Sequence, residues 1–224
     1  FAELTPVLGA KLVMMAMRTD YSSTQVMRAT ELNDRSPGSH LFKASFDKAG
    51  SHVIFFIFQP KDEAFTAVPT FMQVKGKVKR LEEPDEDVTT YRGGRGLKVD
   101  LYRSEKTVRV CRPILFASRW RLRDKAMNLA TNDGPPIHYT ALRPTGLPLV
   151  IGQRVAQSAL ARHTPDAIKS LAAGDVNTIA SLRFEESGRH AIVAMAKVAG
   201  NTTTATFVLK VEGAVPEGGC PDGE

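Results

Sequence analysis

The sequence predicts a mainly β protein, an antiparallel β-sandwich carrying helical insertions. Three observations lead there. Short runs rich in Val, Ile, Phe and Thr recur along the chain, several with period-two alternation. Clusters of Gly, Pro, Asn and Ser separate them. The runs do not alternate with helices as a doubly wound parallel sheet requires. An OB-like barrel centred on 70–112, with an α/β extension, is the alternative. At 224 residues, 42% apolar and 24% charged, the chain can bury a proper core and does not resemble a disordered protein.

The elements follow in order. "KLVMMAMR" (11–18) reads as a strand, with helix as the alternative. "HLFKASF" (40–46) sets Leu41, Lys43 and Ser45 against Phe42, Ala44 and Phe46, as a half-buried strand does. "HVIFFIF" (52–58) is apolar on both parities and reads as a central strand covered on both faces. "TFMQVKGKVKR" (70–80) alternates, placing Lys75, Lys77 and Lys79 on one face. "GLKVDLYR" (96–103) and "KTVRVCR" (106–112) read as a hairpin. Residues 114–130 fit helix or strand, because Arg119, Arg121 and Arg123 alternate with Trp120 and Leu122. "LVIGQRVAQSALARH" (149–163) has helical spacing, and Thr164-Pro165-Asp166 is a helix start. A helical insertion is therefore expected around 149–174. The runs 178–184, 189–198 and 203–213 read as a β-meander. Residues 1–212 read as one domain without internal repeats, and 213–224 as a loose acidic Gly/Pro-rich tail.

Charge is placed unevenly. Residues 91–125 hold eleven Lys and Arg against three acids, a larger excess than the net +6 of the whole chain. The expected polyanion contact comprises Lys75, Lys77, Lys79, Arg92, Arg95, Lys98, Arg103, Arg109, Arg119, Arg121 and Arg123. Such side chains neutralise phosphates and release counterions. The glycines of "RGGRG" allow close backbone approach and an anion nest. Tyr91 and Tyr102 are candidates for stacking on unpaired bases. RNA is the favoured partner.

Signatures of catalysis are sparse. GxSxG, GxxxxGK[ST] and HExxH are absent, and the five histidines are scattered. His138 is the one histidine worth testing as a catalyst. No metal or cofactor is expected. Cys111 and Cys220 read as free thiols of a reducing compartment, since no CxxC is present. No run approaches the roughly 20 apolar residues of a membrane span.

The segment "GRHAIVAMAKVAGNTTTATFVLKVEGAVP" (188–216) has an apolar strand, a polar turn, a Thr-rich strand and a closing Pro. It resembles the last two jelly-roll strands in coat proteins of small icosahedral plant RNA viruses of the cucumovirus type. The resemblance implies a jelly-roll-like sandwich, RNA binding, self-association and location in a virion. The expectation is thus a non-enzymatic RNA-binding structural protein of a coat or nucleoprotein assembly. The alternatives are an RNA-binding component of an RNA-processing or ribosome-like complex, which would be intracellular, and a hydrolase or nuclease.

Overall fold

The structure is a computed structural model. It describes residues 3–5, 10–31, 40–63, 66–77, 87–127, 129, 137–143, 145, 150–155, 160, 164–166, 168–169, 179–198 and 201–221. The chain is mainly β, as expected. It forms two compact units: residues 1–83 with 144–147, and residues 84–143 with 148–224. The single-domain reading gives no sign of this division.

The first unit contains β1 (Leu4–Thr5), β2 (Leu12–Arg18), β3 (Thr24–Arg28), β4 (Thr30–Glu31), β5 (His40–Leu41), β6 (Gly50–Pro60) and β7 (Thr66–Val74). Its main sheet runs β7-β6-β2-β3, all antiparallel, with β1 on the last residues of β6. β4 and β5 form a separate ribbon. The reading of 52–58 holds: Val53, Ile54 and Phe55 are fully buried in β6. One sheet face buries Met14, Ala16 and Ile54 beneath Met27, Phe42, Phe46 and Phe56. The strand expected over 40–46 is confined to His40–Leu41, because Phe42 and Phe46 fold over the sheet instead of joining a ladder. The strand expected over 70–80 ends at Val74. Gly76 at φ 148° takes a conformation that L side chains rarely adopt, and it breaks the strand. β7 pairs with β6 and not with 96–112. Pro69 is tolerated within it because β7 is an edge strand.

The second unit contains β8 (Thr90–Arg92), β9 (Leu97–Arg103), β10 (Val108–Arg109), β11 (Pro113–Leu122), β12 (Lys125–Ala126), β13 (Ile137–Leu142), β14 (Val150–Ile151), β15 (Gln153–Arg154), β16 (Ala180–Arg183), β17 (Gly188–Val198) and β18 (Asn201–Glu212). One sheet runs β15-β16-β11-β9-β8, with β12 on β11; the other runs β10-β18-β17-β13-β14. A single core lies between them. Val99, Leu101, Phe116, Trp120 and Leu182 of the first sheet meet Tyr139, Ile192, Ala194, Phe207 and Leu209 of the second. This is a sandwich-like arrangement rather than a lone OB-like barrel.

The expected hairpin of 96–112 is not formed. β9 pairs with β8 and β11, while β10 crosses to the other sheet and pairs with β18 in parallel. β11 wins because Ile114, Phe116, Ser118 and Trp120 all bury on one parity, so residues 113–122 are strand and not helix. The helix expected over 149–163 is contradicted by β14 and β15; 149, 156–159 and 161–163 lie outside the described residues. A helical turn does follow Pro165, whose carbonyl accepts from the N–H groups of Ile168 and Lys169. Of the expected meander, β17 and β18 form the hairpin, but β16 belongs to the other sheet.

Cys111 and Cys220 are not free thiols. They form a disulfide across 109 residues of sequence. Arg183 also donates to the Pro221 carbonyl, so the tail is anchored at Cys220 and Pro221. The spacing of two isolated cysteines carries no pairing signal; the pair forms because Cys111 leaves β10 beside Phe184, whose carbonyl accepts its N–H. Disulfides persist in oxidising surroundings.

Candidate nucleic-acid interface

The second unit adds a layer, β8-β9-β11, whose outer face gathers part of the expected cations. Alternation places Val99, Leu101 and Trp120 in the core and turns their neighbours outward. Register sets Arg92 opposite Lys98 and Lys98 opposite Arg121, so three cations form one cross-strand row. In the next outward row Thr90 faces Asp100, and Asp100 faces Arg119. Neighbouring strands are about 4.8 Å apart, so such a row is held against its own repulsion.

Asp100 is the counter-charge that permits it. It pairs with Arg121, and Lys98 Nζ lies 3.9 Å from its Oδ1. Thr90 Oγ1 donates to it at 2.9 Å. Burial alone would raise the Asp100 pKa. Hydrogen bonds from Thr90 and Arg121, with the charges of Arg121 and Lys98, outweigh burial and hold it below the usual carboxylate value. Arg119 lies over the Tyr102 ring, 5.8 Å from its centroid.

The loops at this end add two more cations. β11 turns into β12 through Arg123 and Asp124, both at positive φ, in the two-residue geometry of a hairpin. Arg123 N–H donates to the Gly96 carbonyl at 2.9 Å, which brings the "RGGRG" turn and its exposed Arg95 alongside. Among the described residues no carboxylate pairs with Arg92, Arg95, Arg119 or Arg123. At the other end of the outer face the 165–169 turn covers the sheet, where Ile168 packs on Ala117 beside Tyr102 and Leu115.

The remaining expected residues lie elsewhere. Arg103 is held by Asp87 at 2.8 Å. Arg109 sits on β10 at the edge of the opposite sheet. Lys75 and Lys77 are exposed, beyond the end of β7 in the other unit. Lys79 is outside the described residues. The loop is less of a nest than expected, since Gly93 N–H is used on the Leu97 carbonyl and Leu97 N–H on Gly94. Tyr91 points into the core against Phe207 and is not a stacking platform. His138 lies within β13, half-buried, and burial lowers its pKa. Asp100 is the residue of this candidate face that sequence reasoning missed. Its alternation with Lys98 and Tyr102 was the signal.

No protein-family model matches the chain, and a search of curated proteins finds no similar sequence. Among the described residues no cluster of three His, Cys, Asp or Glu side chains could hold a metal, and no helix is long and apolar enough to cross a membrane.

Proposed function

We propose that the outer face of β8-β9-β11 binds single-stranded RNA, largely without sequence preference, and that the protein is a structural subunit of a coat or nucleoprotein assembly of jelly-roll type. The observation that carries the reading is the Arg92-Lys98-Arg121 row, flanked by Arg119, Arg95 and Arg123, in which Asp100 is the one carboxylate ion-paired to the row among the described residues. A flat cationic sheet suits a flexible phosphate backbone, and the Arg119 guanidinium offers a plane for stacking on an unpaired base. The disulfide favours an assembly exposed to oxidising surroundings, virion surfaces included, over a ribosome-like component.

The test is the salt dependence of oligouridine binding, read by fluorescence anisotropy. Four cations without carboxylate partners give an expected slope of log K against log salt of about −2.8, at roughly −0.7 per phosphate. Arg92→Gln/Arg119→Gln/Arg123→Gln should flatten it by about 2, and Lys75→Gln/Lys77→Gln should leave it unchanged. Equal slopes for the triple variant and the wild type would remove this face from the account.

A further inference from the structure

The two units share one plan. In the first, strand order is β7-β6-β2-β3; in the second it is β18-β17-β13-β14. Registers match as well. Leu12 faces Phe58 and Met17 faces Val53, while Ile137 faces Ala196 and Leu142 faces Ala191. Thr66 faces Phe58 as Thr203 faces Ala196, and Gly50 faces Val74 as Gly188 faces Val211. The sequences "FDKAGSHVI" (46–54) and "FEESGRHAI" (184–192) align on Phe, Gly, His and Ile. Both glycines have positive φ. His52 Nδ1 donates to the Gly50 carbonyl at 3.0 Å and His190 Nδ1 to Gly188 at 3.1 Å. Each imidazole meets the preceding Phe edge-on at 5.1 Å. The chain therefore contains an internal repeat, 12–74 and 137–212, which the sequence reading did not detect. The β8-β9-β11 layer comes from the chain between the copies, and among the described strands the first copy has no counterpart of it.

The outer face of that layer is ordered in rows, each two residues and so about 6.8 Å from the next. The first holds Arg92, Lys98 and Arg121, the second Thr90, Asp100 and Arg119, and in the third Tyr102 faces Ala117. Arg119 is exposed and leans over the Tyr102 ring. Ile168 packs on Ala117 and closes the third row. A ligand crossing the rows meets cations first, then the Asp100 carboxylate, then a guanidinium plane against a wall. A nucleotide presents phosphate, ribose and base in the same order. Asp100 also has acceptor capacity to offer. Among the described residues Thr90 and Arg121 donate to it, while Lys98 Nζ at 3.9 Å lies beyond hydrogen-bond reach. A carboxylate has sites for about four donors. Its side chain is 14% exposed, so the unfilled sites are still open to a ligand. A phosphodiester has no proton to give them, whereas a ribose hydroxyl has.

We infer that Asp100 accepts a hydrogen bond from the ribose 2′-hydroxyl and so makes this face select RNA over DNA. The inference rests on the proposed RNA interface and names the residue that tells the two sugars apart. In an RNA complex the hydroxyl replaces the water that Asp100 gives up. In a DNA complex nothing does, and a desolvated carboxylate is left without a donor. The test is fluorescence anisotropy of the intact protein with oligouridine, oligodeoxyuridine and 2′-fluoro-oligouridine of one length. The base is the same in all three, and the fluoro sugar keeps the ribose pucker without the donor. The wild type should bind oligouridine about tenfold tighter than either of the others, the low end for a hydrogen bond to a charged group. Asp100→Asn should bind all three nearly alike, because the deoxy and fluoro strands gain about tenfold more than the ribo strand does. The wild-type comparison holds whether or not the variant folds. Equal wild-type affinities, with the salt slope intact, overturn the inference and leave the interface standing. So does a fluoro strand that binds as the ribo strand does, or a ribose preference that survives in Asp100→Asn. Loss of salt-dependent binding to every strand strikes the interface itself, and this inference with it.

Discussion

Replacing Asp100 with Asn should weaken the fold and strengthen RNA binding at once. The carboxylate accepts hydrogen bonds from Thr90 and Arg121 and faces Lys98. A bond to a charged group contributes about 1 kcal/mol more than a neutral one, so two bonds lose roughly 2 kcal/mol. Unscreened repulsion across the Arg92-Lys98-Arg121 row adds up to about 1 kcal/mol. The only tryptophan, Trp120, lies in the core of this unit, so its fluorescence in a urea titration reads the loss directly. On the binding side, Arg121 is released to the ligand. One further phosphate contact at 0.1 M salt is worth about fivefold in affinity, and about 25-fold if Lys98 follows. The carboxylate's pKa is depressed in the folded state. Its contribution is therefore present above the unfolded value near 3.9 and is lost as pH falls through the lower folded value. The stability gap between wild type and variant should narrow below about pH 4. An Asp100→Asn protein that binds oligouridine no more tightly than the wild type would refute the idea that this carboxylate restrains the face.

Other outcomes follow from the same packing. Ser118→Ala removes the hydroxyl that meets Tyr139 and accepts the Trp120 indole N–H, and should cost about 1–2 kcal/mol in the same titration, since the buried indole N–H loses this acceptor. Reducing the Cys111–Cys220 bond should lower the urea midpoint, with a loss of up to about 4.8 kcal/mol for a loop this long on the chain-entropy model; an unchanged midpoint with reductant would contradict a structural role. His190 is held below its ordinary pKa by burial first, with Arg143 adding to it and the Gly188 carbonyl opposing. Stability should therefore fall as pH drops from about 6.5 toward the folded value, because the unfolded imidazole takes up the proton first. His190→Gln should flatten that limb of the pH profile.

The parts of the fold that were legible are those where one residue pattern admits one answer. The apolar β6 and the Thr-rich β18 belong to this class, since neither can be solvated on its buried faces. The basic segment was legible as charge but not as a surface. Arg119 and Arg121 fitted helix and strand alike, and only pairing with β9 decides that they share a face with Lys98. Arg103 and Arg109 look equivalent to them in sequence, yet Arg103 meets Asp87 and Arg109 leaves for the other sheet. The turn at Arg123-Asp124 has no glycine to announce it. The helix expected at 149–163 rested on spacing that two short strands also satisfy. The repeat escaped notice because what survives of it is mainly backbone conformation and register, not composition. Gly50, His52, Gly188 and His190 recur as scaffold, whereas the cationic layer occurs, among the described strands, in one copy.

That asymmetry is open to direct measurement. Photo-crosslinking of 4-thiouridine RNA to the intact protein, followed by peptide mass spectrometry, locates the bound strand residue by residue. The account expects adducts within 92–98 and 119–125, and none around Lys75 and Lys77. Adducts concentrated in the first unit, or spread evenly over both, would contradict it.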